Sequence, residues 1–203
     1  QAMSIVADEV IDLHRQLVPY GYDEINVNLG CPSGTVVSKK RGSGILAYPD
    51  MLDSFLDELY TKADFPVSIK TRVGFNDDEL WPKLIEIYSK YPISELTVHP
   101  RVQKDFYKNT PRMDDFALAV QKINPDKTIL CYNGDITDTG SFKALTDLFP
   151  DIDEIMIGRG LFANPALIAE LKGISMDKAE LRERLKNWHD EILSGYLSIF
   201  SGE

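Results

Sequence analysis

The feature that most constrains the fold is an alternation of short β-rich runs with longer segments of helical periodicity, which begins near residue 22. The β-rich runs cover residues 23–29, 65–73, 94–99, 127–132 and 153–157. Between them, residues 50–62, 78–91, 114–123 and 139–149 repeat their apolar residues at intervals of three and four, the spacing of an amphipathic helix. One apolar stripe consists of Leu52, Phe55, Leu56 and Leu59, and another includes Leu145, Leu148 and Phe149. Pro82 falls in the first turn of its predicted helix, where the missing N–H costs little. Strands that are joined by helical crossovers run parallel. The alternation therefore predicts an α/β fold on a parallel sheet, either doubly wound or closed into a (β/α)8 barrel.

Polar residues near the strand ends favour the barrel. Nearly every β-rich run closes with such residues: Asn26 and Asn28, Lys70 and Arg72, His99 and Arg101, Asn133 and Asp135, Gly158 and Arg159. Because side chains alternate along a strand, Lys70 and Arg72 fall on one face together. A sheet covered by helices on both faces would bury these groups, whereas the mouth of a barrel is where barrel active sites lie. We therefore predict a (β/α)8 TIM barrel, of which this chain holds about five βα units.

The chain is short for a whole barrel, which typically takes about 250 residues. It has 203 residues, and residues 4–19 predict a helix with no strand before it. We therefore expect the chain to begin after the third barrel strand. Residues 1–172 are predicted to form the C-terminal portion of the barrel domain. The purely helical pattern within residues 173–203 predicts the beginning of a second, helical domain.

Composition narrows the class of protein. No apolar run approaches the roughly 18 residues that cross a bilayer, so no membrane association is expected. The two cysteines, Cys31 and Cys131, lie far apart and follow no secretory signal, which is typical of reduced thiols in a cytoplasmic protein. The three histidines and two cysteines never fall at the spacing of metal ligands, so no metal site is expected.

The overall charge is acidic, with 22 basic and 32 acidic residues and a net charge of −10. Such a balance argues mildly against binding to nucleic acid, which needs a basic surface. The basic residues are nevertheless concentrated in two segments near the predicted mouth: Lys39, Lys40 and Arg41, then Arg101, Lys104, Lys108 and Arg112. Because local charge steers a polyanion more than net charge does, the sequence is compatible with an RNA partner.

Several residues could perform chemistry at the barrel mouth. Cys31 follows a strand in the sequence Asn-Leu-Gly-Cys-Pro, where a thiol near cations could act as an acid or a nucleophile; a buried structural cysteine is the alternative. Lys70 and Arg72 would place two cations in the mouth, which suits an anionic cofactor or substrate. His99 could donate a hydrogen bond or a proton. Residues 133–135 and 157–160 contain glycines and follow the last two strands, where barrels often bind phosphate.

Taken together and in this order, the motifs resemble those of the tRNA-dihydrouridine synthases. The resemblance covers about residues 4–172 and rests on the segments at residues 28–32, 36–37, 42–44, 70–72, 99–101, 133–135 and 157–160. Members of that family are FMN-dependent TIM barrels with a C-terminal helical domain. They reduce particular uridines of tRNA to 5,6-dihydrouridine, and NADPH recharges the FMN. The resemblance therefore implies tRNA as the partner, with FMN as the cofactor and NADPH as the reductant.

The resemblance also implies a role for each matching residue. Cys31 would be the general acid that protonates uracil C5, while hydride reaches C6. The flavin contacts would be Lys70 and His99, and the contacts to its phosphate and phosphate loop would be Asn133, Gly134, Asp135, Gly158 and Arg159. Asn28 would contact the substrate RNA, and Arg72 and Arg101 would contact the RNA or the flavin. Because the first three strands are absent from the chain, we expect this piece to retain FMN poorly and to be inactive alone.

Three other functions fit part of the pattern. Another FMN-dependent TIM-barrel oxidoreductase, such as a dihydroorotate dehydrogenase, would use the same phosphate loops but act on a free pyrimidine. A non-catalytic RNA-binding barrel would keep Cys31 as a structural residue only. An aldolase-type barrel would use Lys70 as a Schiff base and need no flavin.

Overall fold

The structure is a computed structural model, and it describes residues 1–200 of the 203-residue chain. Residues 201–203, which belong to the predicted helical domain, lie outside the described residues. The contacts of the chain divide it into two compact units. The first contains Gln1–Gly134 and Asp151–Met156, and the second contains Asp135–Pro150 and the described residues from Ile157 onward.

The first unit is built on five parallel strands. They are β1 (Ile25–Leu29), β2 (Val67–Gly74), β3 (Glu95–Val102), β4 (Ile129–Asn133) and β5 (Glu154–Met156), and each pairs with the next one along the chain. A doubly wound sheet reverses its strand order at a switch point, whereas a barrel wall keeps the order of the sequence. The sequential order therefore confirms the prediction of part of a TIM barrel.

One strand is longer than the sequence pattern predicted. β3 continues through Pro100 and Arg101 to Val102, although proline cannot donate a hydrogen bond within a sheet. The register between β2 and β3 shifts between Arg72 and Gly74, opposite this proline. Such an irregularity leaves a residue unpaired, which accommodates the missing N–H.

Helices follow the strands as the alternation predicted. In the first unit these are α1 (Ala7–Leu17), α2 (Gly34–Val37), α3 (Pro49–Lys62), α4 (Trp81–Tyr88) and α5 (Met113–Lys122), with 3-10 turns at Val18–Tyr20, Gly42–Ala47 and Gln103–Asp105. Pro82 lies in the first turn of α4, as predicted, because no intrahelical partner is needed there for the missing N–H. The predicted apolar stripe of α3 is fully confirmed, and its buried residues are Leu52, Phe55, Leu56 and Leu59.

The second unit contains α6 (Thr139–Leu148), α7 (Arg159–Ala163), α8 (Leu167–Leu171) and α9 (Lys178–Ile199). The Asp138 carboxylate caps α6 by accepting from the Ser141 amide at 2.7 Å, and Asp177 caps α9 through the Ala179 and Glu180 amides. The predicted stripe of α6 is wrong in part, because Leu145 is buried whereas Leu148 is 62% exposed. None of the helices in the described residues combines the length and hydropathy needed to span a membrane.

The sheet has one apolar face and one polar face. In β1, Ile25, Val27 and Leu29 are buried, whereas the alternating Asn26 and Asn28 are half-buried. Because paired residues of neighbouring strands point to the same side, the register defines a polar row across all five strands: Asn28, Lys70, Thr97, Cys131 and Glu154. The predicted common face of Lys70 and Arg72 is thus confirmed, and Arg72 pairs in turn with His99.

The residues before α1 also contact the sheet. Ala2 forms a parallel bridge with Val27 at the free edge of β1. Its amide donates to the carbonyl of Asn26 at 2.8 Å, and its carbonyl accepts from the amide of Asn28 at 2.7 Å. The sequence pattern predicted no strand before α1, and this single bridge is too short to have produced a β-rich run. It satisfies backbone groups of β1 that would otherwise need water.

Candidate functional site

The loop after β1 holds Cys31 in a fixed position. The side-chain oxygen of Asn28 accepts from the amide of Gly30 at 3.0 Å and from the amide of Cys31 at 2.9 Å, which closes a turn around the asparagine. Ser43 holds the other side of the loop, because its amide and hydroxyl both donate to the carbonyl of Cys31, at 3.0 and 2.8 Å. Cys31 is a half-buried free thiol. The loop therefore orients a thiol that remains accessible.

A glycine beside this loop is required by its geometry. Gly42 has a φ of +54°, a backbone conformation that residues with a Cβ rarely adopt. A Cβ at Gly42 would lie 2.7 Å from the carbonyl oxygen of Cys31. The segment 42–44 was part of the motif that the sequence analysis used, and the Ser43 contact gives it a physical role. No sequence pattern pointed to that contact.

Arg72 ties the Cys31 loop to the loop after β3. Its guanidinium donates to three carbonyl oxygens: Gly30 at 3.0 Å, Val102 at 2.9 Å and Phe106 at 2.7 Å. Only 2% of the residue is exposed. A planar guanidinium suits such a three-way junction because its donors are spread over a rigid fork, whereas a lysine offers its donors from a single nitrogen. The contact to substrate RNA or flavin that the sequence predicted for Arg72 stays a prediction, and the observed geometry gives the residue a structural role.

Lys70 is a half-buried cation on the same strand. Burial, and after it the positive charge of Arg72, lowers the pKa of the Lys70 ammonium to about 8. No carboxylate within residues 1–200 forms an ion pair with Lys70. A buried cation beside a second cation is an unfavourable arrangement that an anionic ligand would relieve.

His99 and Arg101 form a second buried pair on β3. They are 5% and 1% exposed, and Arg101 Nη1 lies 3.1 Å from His99 Nε2. Because a guanidinium can only donate, Nε2 must be the acceptor, and the neutral ring then carries its proton on Nδ1. Arg101 also donates to the carbonyls of Lys108 and Asn109, at 3.0 Å from Nε and 2.6 Å from Nη2. The predicted contact of Arg101 with RNA or flavin stays a prediction.

The end of β4 carries two of the predicted phosphate-loop residues. Asn133 donates from Nδ2 to the carbonyl of Met156 at 2.9 Å, which joins the ends of β4 and β5. Gly134 follows directly, and a Cβ there would overlap the hydroxyl of Tyr132. Glycine is therefore needed at this position for a close approach between backbone and side chain.

The other predicted phosphate-loop residues belong to the second unit. Arg159 Nη2 and Asp135 Oδ1 form an ion pair at 2.5 Å, with side chains 56% and 40% exposed. A Cβ at Gly158 would meet open space, whereas one at Gly160 would overlap the carbonyl of Ile136. Gly160 is thus required by packing, and Gly158 leaves an open approach to the backbone that begins α7.

The seven basic residues near the predicted mouth differ in their surroundings. Arg101 is buried, Arg41 pairs with Glu9 at 3.0 Å, and Arg112 pairs with Asp105 and with Asp78. The remaining members of the set are the exposed residues Lys39, Lys40, Lys104 and Lys108. Lys40 lies over the Tyr48 ring, with 4.5 Å between Nζ and the ring centroid. The exposed basic residues of the set are therefore lysines, whereas its three arginines are buried or paired with carboxylates.

Three groups that could act as metal ligands meet on the polar face of the sheet. Ligand atoms of Glu95, Cys131 and Glu154 lie within 4.8 Å of one another. Burial and the nearby Glu95 carboxylate raise the pKa of the Cys131 thiol to about 12. The expectation of no metal site rested on the spacing of histidines and cysteines, and this group with its two glutamates lies outside that pattern. Its members come from three different strands, and only the register of the sheet brings them together.

Comparison with known proteins identifies relatives for this arrangement. A family model described as "Dihydrouridine synthase (Dus)" matches residues 7–193. A Staphylococcus aureus protein named "Probable tRNA-dihydrouridine synthase" is 33% identical over 190 residues, which are 92% of this chain and 54% of the relative. Two proteins named "tRNA-dihydrouridine synthase B" are 30% identical over 174 residues in Escherichia coli K12 and 29% identical over 168 residues in Pasteurella multocida. These matches cover 85% and 82% of this chain, and 53% and 49% of the two relatives. The chain spans about half the length of the curated relatives it matches.

Proposed function

Because the chain belongs to the dihydrouridine synthase family, we propose that its protein reduces uridine in tRNA to 5,6-dihydrouridine. The observation that carries this proposal is the geometry of Cys31. Its accessible thiol sits on a loop that Asn28 and Ser43 fix, beside a strand that carries the buried cation Lys70. A fixed thiol is suited to proton transfer because a general acid must be held within hydrogen-bond reach of its target atom.

Reduction of uracil adds one hydride and one proton across the C5–C6 double bond. Reduced FMN, when bound, supplies the hydride to C6. The developing negative charge spreads from C5 to the O4 carbonyl and requires a proton at C5. We propose that Cys31 gives its thiol proton to C5 and regains a proton from solvent afterwards. A neutral thiol is the suitable form for this step, since an ordinary cysteine is mostly protonated near pH 7.

The residues present fit a flavin mononucleotide. Lys70 is a half-buried cation that forms no ion pair with a carboxylate in the described part of the chain, which suits the electron-rich end of a reduced flavin ring. Arg101 donates to Nε2 of His99, so the neutral His99 ring carries its proton at Nδ1. For the phosphate we propose Asn133, Gly134, Asp135, Gly158 and Arg159, and the open space at Gly158 supports a close approach of backbone amides to an anion. For Asn28 we propose a contact to the substrate RNA, and for Arg72 and Arg101 a contact to the RNA or the flavin.

The remaining features of the proposal follow from the family. The partner is tRNA, and NADPH is the reductant. We also propose a cytoplasmic protein in which residues 1–172 belong to the barrel domain and residues 173–203 begin a helical domain. The isolated 203-residue piece is expected to bind FMN poorly and to be inactive, so the experiments below use the full-length protein.

One assay separates the proposal from its alternatives. The full-length protein is incubated with NADPH and with tRNA transcribed in vitro, and dihydrouridine is measured by mass spectrometry of the nucleosides. The proposal expects dihydrouridine in tRNA and no oxidation of free dihydroorotate. Turnover of dihydroorotate would favour the other flavin-dependent barrel. A borohydride-trapped adduct on Lys70 in protein without flavin would favour the Schiff-base barrel. Binding of tRNA without any dihydrouridine would favour the non-catalytic barrel.

A further inference from the structure

A second surface lies next to the Cys31 loop. It is made by residues 103–109, which follow β3 and are called the aromatic loop below. The loop exposes the neighbouring side chains of Phe106 and Tyr107, whose exposed fractions are 46% and 56%. Two exposed lysines, Lys104 and Lys108, flank the rings. Adjacent exposed rings between cations are typical of a contact surface for another molecule.

Buried charged residues fix the backbone of the aromatic loop from below. Arg72 donates to the Phe106 carbonyl, and Arg101 donates to the carbonyls of Lys108 and Asn109. The carboxylate of Asp105, which is 4% exposed, accepts from the Val102 amide at 3.2 Å and from Asn109 Nδ2 at 2.7 Å. Burial of a charge is costly unless hydrogen bonds compensate it. The protein therefore uses three buried charged side chains to hold one exposed loop in a single conformation.

Phe106 adopts a strained backbone conformation within this loop. Its φ is +51° and its ψ is −97°, a backbone conformation that is costly for a residue with a Cβ. Because the ring is nearly half exposed, burial of the side chain does not offset this cost in full. Strain that surrounding contacts maintain is found preferentially at binding sites. The strained residue here is one that presents an aromatic ring.

The aromatic loop is held directly against the Cys31 loop. The same Arg72 guanidinium that binds the Phe106 carbonyl also binds the Gly30 carbonyl. Gln103 Nε2 donates to the Pro32 carbonyl at 2.9 Å, which forms a second link between the two loops. The Tyr107 ring lies 6.4 Å from the His99 ring, centroid to centroid, with 29° between the planes. The loop that carries the exposed rings therefore lies beside the loop that carries Cys31.

We propose that the aromatic loop binds single-stranded RNA and that a nucleotide next to the target uridine stacks on Tyr107 or Phe106. Lys104 and Lys108 would face the phosphates on either side. Aromatic rings with flanking cations are the usual means by which proteins bind unpaired nucleotides. The target uridine must leave its stack to reach the reacting group, so the neighbouring base needs a new stacking partner. This inference rests on the proposed function for the identity of the RNA and for the target uridine, whereas the binding of unpaired RNA by the loop does not depend on it.

The test measures RNA affinity of the full-length protein by fluorescence anisotropy, with in vitro transcribed tRNA and a single-stranded oligouridylate as probes. The variants are Phe106→Ala and Tyr107→Ala, and Tyr107→Phe retains a stacking ring. Tyr22→Ala is the matched control, because Tyr22 is 60% exposed and lies before β1, away from the aromatic loop. We expect the dissociation constant of both probes to rise about tenfold in at least one of the two alanine variants, the effect of losing one stacked base. Tyr107→Phe and Tyr22→Ala should bind as the unchanged protein does, and flavin content should be equal in all variants.

The outcomes separate this inference from the proposed function. Unchanged affinity of both alanine variants for both probes would overturn the inference, even if the protein makes dihydrouridine normally. Conversely, a Tyr107-dependent affinity for RNA in a protein that forms no dihydrouridine would support the aromatic loop and refute the proposed function. Thermal unfolding of each variant shows whether a loss of affinity comes from loss of the fold.

Discussion

The side-chain oxygen of Asn28 lies 2.9 Å from the amide nitrogen of Cys31. The side chain of the penultimate residue of β1 therefore fixes the backbone position of the residue that carries the thiol. The same oxygen accepts from Gly30. Asn28 lies on the polar face of the sheet in the same row as Lys70. The position of the thiol is therefore coupled to the sheet itself, through a side chain that the sequence analysis assigned to substrate binding.

Replacement of Asn28 tests this coupling. Asn28→Leu would leave two amides without their acceptor, and we expect a loss of roughly 1–3 kcal/mol in the free energy of unfolding. Asn28→Asp keeps the acceptor and is the matched control. Dihydrouridine formation should fall more than flavin content in Asn28→Leu, because the thiol loses its orientation. Equal turnover in the leucine and aspartate variants would show that this contact does not position Cys31.

The two cysteines should differ in reactivity. Cys131 is 3% exposed and burial raises the pKa of its thiol to about 12, whereas Cys31 is half-buried. Because thiolates are the reactive species, iodoacetamide at pH 7.5 should label Cys31 in the native protein and leave Cys131 unmodified. Peptide mass spectrometry measures both sites. Faster labelling of Cys131 than of Cys31 would contradict the deeper burial of Cys131.

Lys70 should destabilise the protein when no anion is bound. Its pKa falls from the ordinary 10.5 to about 8, so the folded state holds a cation in an unfavourable place at every pH below 8. Between pH 8 and 10.5 the unfolded chain holds a proton that the folded one has released, and stability rises with pH. In flavin-free protein at pH 7, Lys70→Met should therefore raise the free energy of unfolding, on the order of 1–3 kcal/mol.

The pH dependence provides the check on Lys70. Denaturant titrations of both proteins at pH 7 and pH 10 should show a smaller difference at pH 10, where the unmodified lysine is neutral in the folded state. The methionine variant should also retain less FMN, since it lacks the cation. A variant that is less stable than the unmodified protein at pH 7 would refute the interpretation.

Asp115 should produce a stability change between pH 4 and 7. Burial, and then the neighbouring Asp78 carboxylate, raises the pKa of Asp115 to about 7, and its Oδ2 has no hydrogen-bond partner among the described residues. A raised carboxyl pKa gives stability that is complete below the ordinary value and is lost as pH rises through the folded value. Asp115→Asn, which resembles the protonated form, should therefore be more stable than the unmodified protein at pH 8. At pH 4 the two should unfold at the same denaturant concentration, and a constant difference across this range would exclude the titration of Asp115.

The sequence predicted the fold well because the apolar pattern of each element is local. The five strands and the α3 stripe depend on residues within one segment, and the structure confirms both. Leu148 was wrongly placed in a buried stripe, because periodicity gives the side of a helix but not how much of that side another element covers. The extension of β3 past Pro100 was missed for a similar reason, since a proline ends a strand unless the neighbouring strand has an irregularity.

The candidate site was less predictable because its contacts join distant segments. The partners of Arg72 are carbonyls of residues 30, 102 and 106, and a backbone carbonyl leaves no mark in a sequence pattern. An arginine on a polar strand end looks the same whether it faces a ligand or a loop. Tyr107 left a weak signal, an aromatic pair between lysines just after a predicted strand, and it was not used.

The central claim is that Cys31 gives the proton to uracil C5, and a single-turnover experiment tests it most directly. The full-length protein and its Cys31→Ala variant are loaded with FMN, reduced with dithionite and mixed with tRNA that lacks dihydrouridine. We predict equal flavin content and equal tRNA affinity, with dihydrouridine formed at least about a hundredfold more slowly in the variant, the typical effect of losing a general acid. Dihydrouridine formation at the same rate in both proteins would contradict the claim.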